Sequence, residues 1–136
     1  MSEVIILDTH IWFWIITQDF KRFPEVWQKD IETASKVGIS VISCYEIALA
    51  EKKGRIVLPC PILDWFADAI DPSGIDLFPI SSKIAIRAVN LSPIHKDPFD
   101  RLIIATALEH NAKLASMDGL FAQYPELKNC LLKPQT

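Results

Sequence analysis

Four acidic side chains fall where an apolar run gives way to a turn or helix. Asp8 follows Val4-Ile5-Ile6-Leu7, Glu46 lies shortly after Ile39-Ser40-Val41-Ile42, Asp100 opens a helix near Pro98, and Asp118 follows Leu114-Ala115-Ser116. Carboxylates gathered in one place repel one another unless a cation lies between them, and an all-oxygen donor set suits magnesium or manganese rather than zinc. Four carboxylates balance two divalent ions, and a pair of ions roughly 3.5–4 Å apart can activate water and stabilise the leaving oxygen of a phosphodiester. Phosphodiester hydrolysis is therefore the chemistry that these residues would support. No other ligand set competes: His10, His95 and His110 are not spaced for a metal, and Cys44, Cys60 and Cys130 lack CxxC spacing. His95, beside the start of the acidic helix, reads as a loop hydrogen-bonder.

Each acid also has a structural role open to it. Acids at helix amino ends cap free N–H groups and complement the helix dipole, which accounts for Glu46, Asp97 and Asp100 without a metal. Ser43 and Glu46 are spaced as a capping box, and Asp118-Gly119 is an ordinary turn pair, a reading open to Asp8 as well. Capping does not explain why every strand end carries an acid in the same layer. Thr9 could equally hydrogen-bond a phosphate or ligand carboxylate, or cap a helix. Arg101 adjoins Asp100, and pairing with a neighbouring acid is favoured over contact with phosphate.

The elements that must position these groups alternate between strand and helix. Val4–Leu7 is a short apolar run of the kind found in central parallel strands covered on both faces. Ile11–Ile16 is a helix apolar on every side, which requires burial all round. Pro24 starts a helix expected to reach about Val37 and to end at Gly38, with Ile39–Ile42 as the second strand. Ser43 then opens a helix to about Lys53, stopped by Gly54, and a short helix begins at Pro61. Ile75–Phe78 is the third strand and Ser81–Asn90 a helix. Asp97 caps the clearest helix, with Pro98 at its first position and Phe99, Leu102, Ile103, Thr106, Ala107 and His110 following the helical period to Asn111. Leu114–Ser116 is a strand, and Cys130–Leu132 an edge strand. Alternation of this kind implies an α/β fold, a three-layer α/β/α sandwich with a mainly parallel sheet, because parallel strands need crossover helices. In such sheets functional groups collect at the carboxyl ends of strands.

A chain of 136 residues, 50% hydrophobic and 23% charged, fits one domain, 1–136, with a core large enough to need neither disulfides nor a structural metal. The net charge of −3 argues against nucleic-acid binding by charge alone. Three scattered cysteines suit a reducing compartment, and the apolar stretch from Val4 to Thr17 is interrupted by Asp8 and His10 and too short to span a bilayer, so a cytoplasmic protein without membrane attachment is expected. Trp12, Phe13, Trp14, Phe23 and Trp27 are more bulk than two small elements readily bury. The surplus points to a homodimer or partner surface.

The segments VIILDTHIWFW, SCYEIALAEKKGRI and HKDPFDRLIIATALEHNAKLASMD, in that order, resemble PIN-domain proteins, particularly the VapC-type toxins of bacterial toxin–antitoxin pairs. The resemblance covers nearly the whole chain, and the H-x-DPFDRLIIATA segment is its most specific part. It implies a magnesium-dependent (or manganese-dependent) endoribonuclease, often dimeric and held inactive by an antitoxin. It makes Asp8, Glu46 and Asp100 the core metal ligands, Asp118 the fourth acid and Asp97 a neighbouring carboxylate outside the ligand set. Ser116 stands where the family more often has threonine, which keeps a hydroxyl in place. Lys52, Lys53 and Arg55 could guide RNA, although cations at a helix carboxyl end are ordinary dipole complements and that reading is slightly favoured.

Other readings fit less well. A phosphatase using Asp8 as covalent nucleophile would need an acid two residues on, where His10 stands, and a phosphorylatable receiver domain would need an acidic pair just after the first strand. A degenerate PIN module that binds RNA or a protein partner without cutting is the remaining alternative. No core acid is missing to support it.

Overall fold

The computed structural model describes residues 3–133. Four strands form one sheet: β1 (Val4–Leu7), β2 (Lys36–Ser40), β3 (Asp76–Phe78) and β4 (Lys113–Ala115). Their order is β3-β2-β1-β4, and every neighbouring pair is parallel. Helices α1 (Thr9–Ile16), α2 (Glu25–Thr33), α3 (Val41–Lys52), α4 (Ile62–Ala69), α5 (Ser82–Asn90) and α6 (Pro98–Glu109) provide the connections. None of the described helices is long and apolar enough to cross a membrane.

Alternation along β1 separates two cores. Ile5 and Leu7 face a layer containing Ile11, Trp12, Trp27 and Trp65 from α1, α2 and α4. Ile6 faces the other side, with Ile103 and Ile104 of α6 and with Phe121, Tyr124 and Leu127 from the C-terminal turns. Successive side chains of a strand point to opposite faces, so a wholly apolar β1 demands helices on both. The α/β/α sandwich expected from the sequence is the one formed.

Several boundaries differ from expectation. Helix α2 ends at Thr33, and Val37 and Gly38 belong to β2. Gly38 does not terminate a helix: a Cβ there would lie 2.6 Å from the Asp76 carbonyl oxygen and 2.6 Å from the Phe78 ring, so glycine is what allows β3 to pair closely. The second strand therefore ends at Ser40, which caps α3 by accepting a hydrogen bond from the Ile42 amide at 3.2 Å. The Ser43–Glu46 capping box does not form, and Glu46 sits in the second turn of α3. The segment around Cys130–Leu132 makes a single parallel bridge, Leu131 to Leu114, rather than a full edge strand.

The aromatic surplus is also smaller than expected, because α4 supplies partners for it. Trp12, Phe23 and Trp27 are buried, while Phe13 and Trp14 are half-buried. Trp12 packs edge-on to Trp65 and stacks on Phe66, and its indole donates to the Ala69 carbonyl at 2.9 Å. The Trp27 indole donates to the Lys133 carbonyl, and Phe23 stacks on Trp27.

Candidate metal centre

The acids converge at the carboxyl edge of the sheet. Asp8, immediately after β1, is the N-cap of α1, with one carboxylate oxygen accepting from the Thr9 amide at 2.8 Å. Its other oxygen accepts from the Ser116 hydroxyl at 2.7 Å, which ties the end of β1 to the loop after β4. Thr9 donates from its hydroxyl to Glu46 Oε1 at 2.6 Å, and the same hydroxyl lies 2.8 Å from Ser43 Oγ. Of the two roles expected for Thr9, the observed one is the hydrogen bond to a carboxylate of the cluster, and the capping of α1 is left to Asp8. Ser43, read from sequence as a cap, is fully buried in α3 and helps hold Thr9.

On the opposite wall, Asp97 caps α6 by accepting from the Phe99 amide at 2.9 Å. Asp100, one turn further on, is released from that task. Asp118 caps the 3-10 turn Gly119–Gln123 through the Leu120 amide, and its own amide donates to Ser116 Oγ at 3.1 Å. A cleft of about 460 Å³ is lined by Asp8, Glu46, Asp97, Asp100 and Asp118 together with His10, Trp14 and Met117. For Asp8, Asp97 and Asp118, capping and membership of the acidic cluster coexist, because the cap uses only one of each carboxylate's oxygens.

Burial works against these charges. Desolvation pushes the Asp8, Glu46 and Asp100 carboxyls above their ordinary range. Asp100 is raised from 3.8 to about 7, first by desolvation and then by the charge of Asp8, with smaller contributions from Asp97 and Glu46 opposed by His95. Hydrogen bonds from Ser116 and Thr9 partly restore the anionic form of Asp8, and that from Thr9 does so for Glu46. Acids held this way favour either a proton or a cation.

His95, read from the sequence as a loop hydrogen-bonder, has a place among the acids that sequence reasoning missed. Its ring is buried against Phe121 and Tyr124, with Nδ1 3.8 Å from Asp100 Oδ2 and Nε2 3.4 Å from Asp118 Oδ2. Nε2 has no hydrogen-bond partner. Ligand atoms of His95, Asp100 and Asp118 lie within 4.8 Å of one another, a grouping able to hold a metal ion. A buried imidazole whose Nε2 lacks a partner, set between the Asp118 carboxylate and the burial-raised Asp100, fits a divalent cation, and the added nitrogen suits manganese at least as well as magnesium. The all-oxygen donor set expected from the sequence thereby gains one candidate nitrogen. His95 stands five positions before Asp100 in the H-x-DPFD run, but only the return of the chain through Tyr124 reveals it: the Tyr124 phenol accepts from the His95 amide at 2.8 Å.

Arg101 takes neither role expected of it. Its guanidinium donates to five backbone carbonyls, those of Ala88, Val89, Leu91, Ser92 and His95, at 2.8–3.2 Å. It clamps the end of α5 and the loop carrying His95 onto α6. Of the basic cluster, Lys52 lies in the last turn of α3, whereas Arg55 lies beyond the helix, after Gly54 in a left-handed conformation (φ 73°).

Comparison with known proteins bears on the family and the fold. The family model described as PIN domain matches residues 5–127. Ribonuclease VapC22 of Mycobacterium tuberculosis is 32% identical over 115 residues, covering 84% of this chain and 86% of that protein. Among solved structures, a toxin–antitoxin complex from Klebsiella pneumoniae superposes with a TM-score of 0.62 at 23% identity, covering 96% of this chain and 98% of that one. DNA-bound VapBC from Salmonella typhimurium superposes with a TM-score of 0.67 at 21% identity, covering 93% and 95%. These structural likenesses concern the fold.

Proposed function

The chain belongs to the PIN-domain family and is related to VapC-type toxins, and from that premise we propose that it is a divalent-metal-dependent endoribonuclease, the toxin of a toxin–antitoxin pair. The observation that carries the proposal is the cleft in which Asp8, Glu46, Asp100 and Asp118 meet. Magnesium or manganese would be held by Asp8, Glu46 and Asp100, with Asp118 and His95 on the flank. A divalent cation supplies the positive charge that a phosphodiester needs among carboxylates, polarises the phosphoryl oxygen and eases deprotonation of water.

The chain's own residues prepare that site. Ser116 and the Thr9 amide fix both oxygens of Asp8, and Thr9 fixes one oxygen of Glu46, so little side-chain freedom remains to be lost on ligation. Asp97 caps α6 and adds negative charge without needing to enter the ligand set. Asp118 would orient the attacking water, and Arg101 would act by holding the His95 loop rather than by touching phosphate.

A protein antitoxin and a second copy of the chain are the partners we assign. The aromatic surplus behind this assignment shrinks to half-buried Phe13 and Trp14, while Val57, Leu63, Ile86 and Val89 are exposed by 62–89%. The three free thiols support a cytoplasmic setting for this reaction. The test is cleavage of generic single-stranded RNA by inhibitor-free protein. Activity with magnesium or manganese, loss in EDTA and loss in Glu46→Gln are expected. Undiminished cleavage in EDTA would remove the metal mechanism, and metal-dependent RNA binding without cleavage would mark a degenerate module.

A further inference from the structure

A second cleft, of about 340 Å³, adjoins the acidic one and shares Glu46, Asp97 and His10 with it. Its chemistry differs: Phe13, Phe99 and Arg55 line it. The Phe99 ring lies 5.0 Å from the ring of Tyr45, tilted by 55°, so α3 steadies the aromatic wall contributed by α6. Arg55 is fixed at its backbone, where its amide donates to the Ala50 carbonyl at 2.9 Å, while its side chain is exposed and makes no ion pair among the described residues.

We propose that this cleft is a nucleotide subsite, taking one unpaired base of single-stranded RNA against Phe99 while Arg55 holds an adjoining phosphate. The proposal rests on the ribonuclease reading above and specifies how the substrate lies.

Three observations carry it. The cleft's volume is at the lower end of small-molecule sites, matching a single nucleotide rather than a helix. A phosphodiester chain entering a cleft of five acids needs positive charge on its flank, and Arg101, the arginine nearest the acids in sequence, is occupied with backbone carbonyls. Arg55 is the arginine that lines the adjoining cleft. Finally, an aromatic face beside a cation is how unpaired bases are held with little sequence preference, whereas paired bases are already stacked.

The experiment measures anisotropy of a labelled single-stranded oligoribonucleotide with calcium in place of magnesium, and cleavage kinetics with magnesium. Phe99→Leu and Arg55→Gln should each weaken binding about tenfold, as expected for a lost stacking or phosphate contact, and raise KM more than they lower kcat. Arg55→Gln should also reduce the slope of log Kd against log salt by about 0.7, and an RNA duplex should bind more weakly than the single strand. The magnesium-induced rise in melting temperature should be unchanged in both variants, which separates the subsite from the metal centre. Because Arg55 is exposed, its variant remains informative if Phe99→Leu folds poorly. Cleavage by wild type with neither variant altering Kd or KM would overturn the subsite and leave the nuclease standing. No binding and no cleavage by wild type would overturn both. Variants that lose only a protein partner would assign the cleft to that partner and overturn the proposal.

Discussion

Replacing Asp100 by asparagine removes one negative charge from the cluster while nearly preserving shape. The cap of α6 is Asp97, so loss of dipole complementarity at Asp100 should destabilise by no more than about 0.3–1 kcal/mol. Relief of repulsion acts in the opposite direction and is larger. A carboxyl raised from 3.8 to about 7 carries, at about 1.4 kcal/mol per unit, an upper bound of about 4 kcal/mol against the folded state once it is ionised. The side chain is 21% exposed, and solvent screening reduces this to roughly 1–2 kcal/mol. The sign follows from proton linkage: the folded protein binds the proton more tightly than the unfolded chain, so metal-free stability falls as pH rises from about 4 through about 7. Asp100→Asn should therefore melt at or above wild type in EDTA at pH 8, by up to about 3–6 °C. The difference should fade toward pH 4. Millimolar magnesium should raise the wild-type midpoint at pH 8 and leave the variant nearly unmoved. Scanning fluorimetry in both buffers decides it. A variant destabilised equally at both pH values, with its magnesium response intact, would refute placing Asp100 among mutually repelling ligands.

Gly38→Ala should destabilise by about 1–3 kcal/mol in urea, since the new methyl meets the β3 backbone; an unchanged midpoint would mean that β2 and β3 are not paired so closely. Arg101→Gln should cost at least about 3 kcal/mol by leaving carbonyls of the α5–α6 loop without donors, and a near-neutral effect would contradict the clamp. Thr9→Val should leave the fold in place but weaken magnesium binding about tenfold in calorimetry, because Glu46 loses its fixed oxygen; unaltered affinity would remove Thr9 from the site's support. Magnesium affinity itself should fall as pH drops below about 7, where Asp100 takes up a proton, and a flat profile from pH 8 to 5 would contradict the raised carboxyl.

The strand–helix alternation, the burial of β1 on both faces and the start of α6 were legible because each carries a local signal. Pro98 after Asp97 marks a helix start whatever the tertiary context, and Asn111, with φ 51°, marks its end. Gly38 misled because glycine serves two ends, stopping a helix or letting two backbones approach, and only the neighbouring strand distinguishes them. The error displaced Glu46 by a turn and invented a capping box. Arg101 was misread for a related reason: adjacency to Asp100 suggested a charge partner, while on a helix the next residue points elsewhere and finds the carbonyls of a preceding loop. The place of His95 among the acids and the packing of α4, itself expected from Pro61, against Trp12 depend on contacts between segments distant in sequence, which no local pattern encodes.

In the proposed reaction, acids in this cleft direct water, rather than the ribose 2′-hydroxyl, at the phosphodiester. Cleavage of a defined single-stranded RNA in water enriched in oxygen-18, with magnesium and inhibitor-free protein, tests it most directly by mass spectrometry of the product ends. One labelled oxygen on a 5′-phosphate, a free 3′-hydroxyl on the other fragment, and no products from Asp8→Asn are expected. Products ending in an unlabelled cyclic phosphate, formed equally by Asp8→Asn, would contradict it.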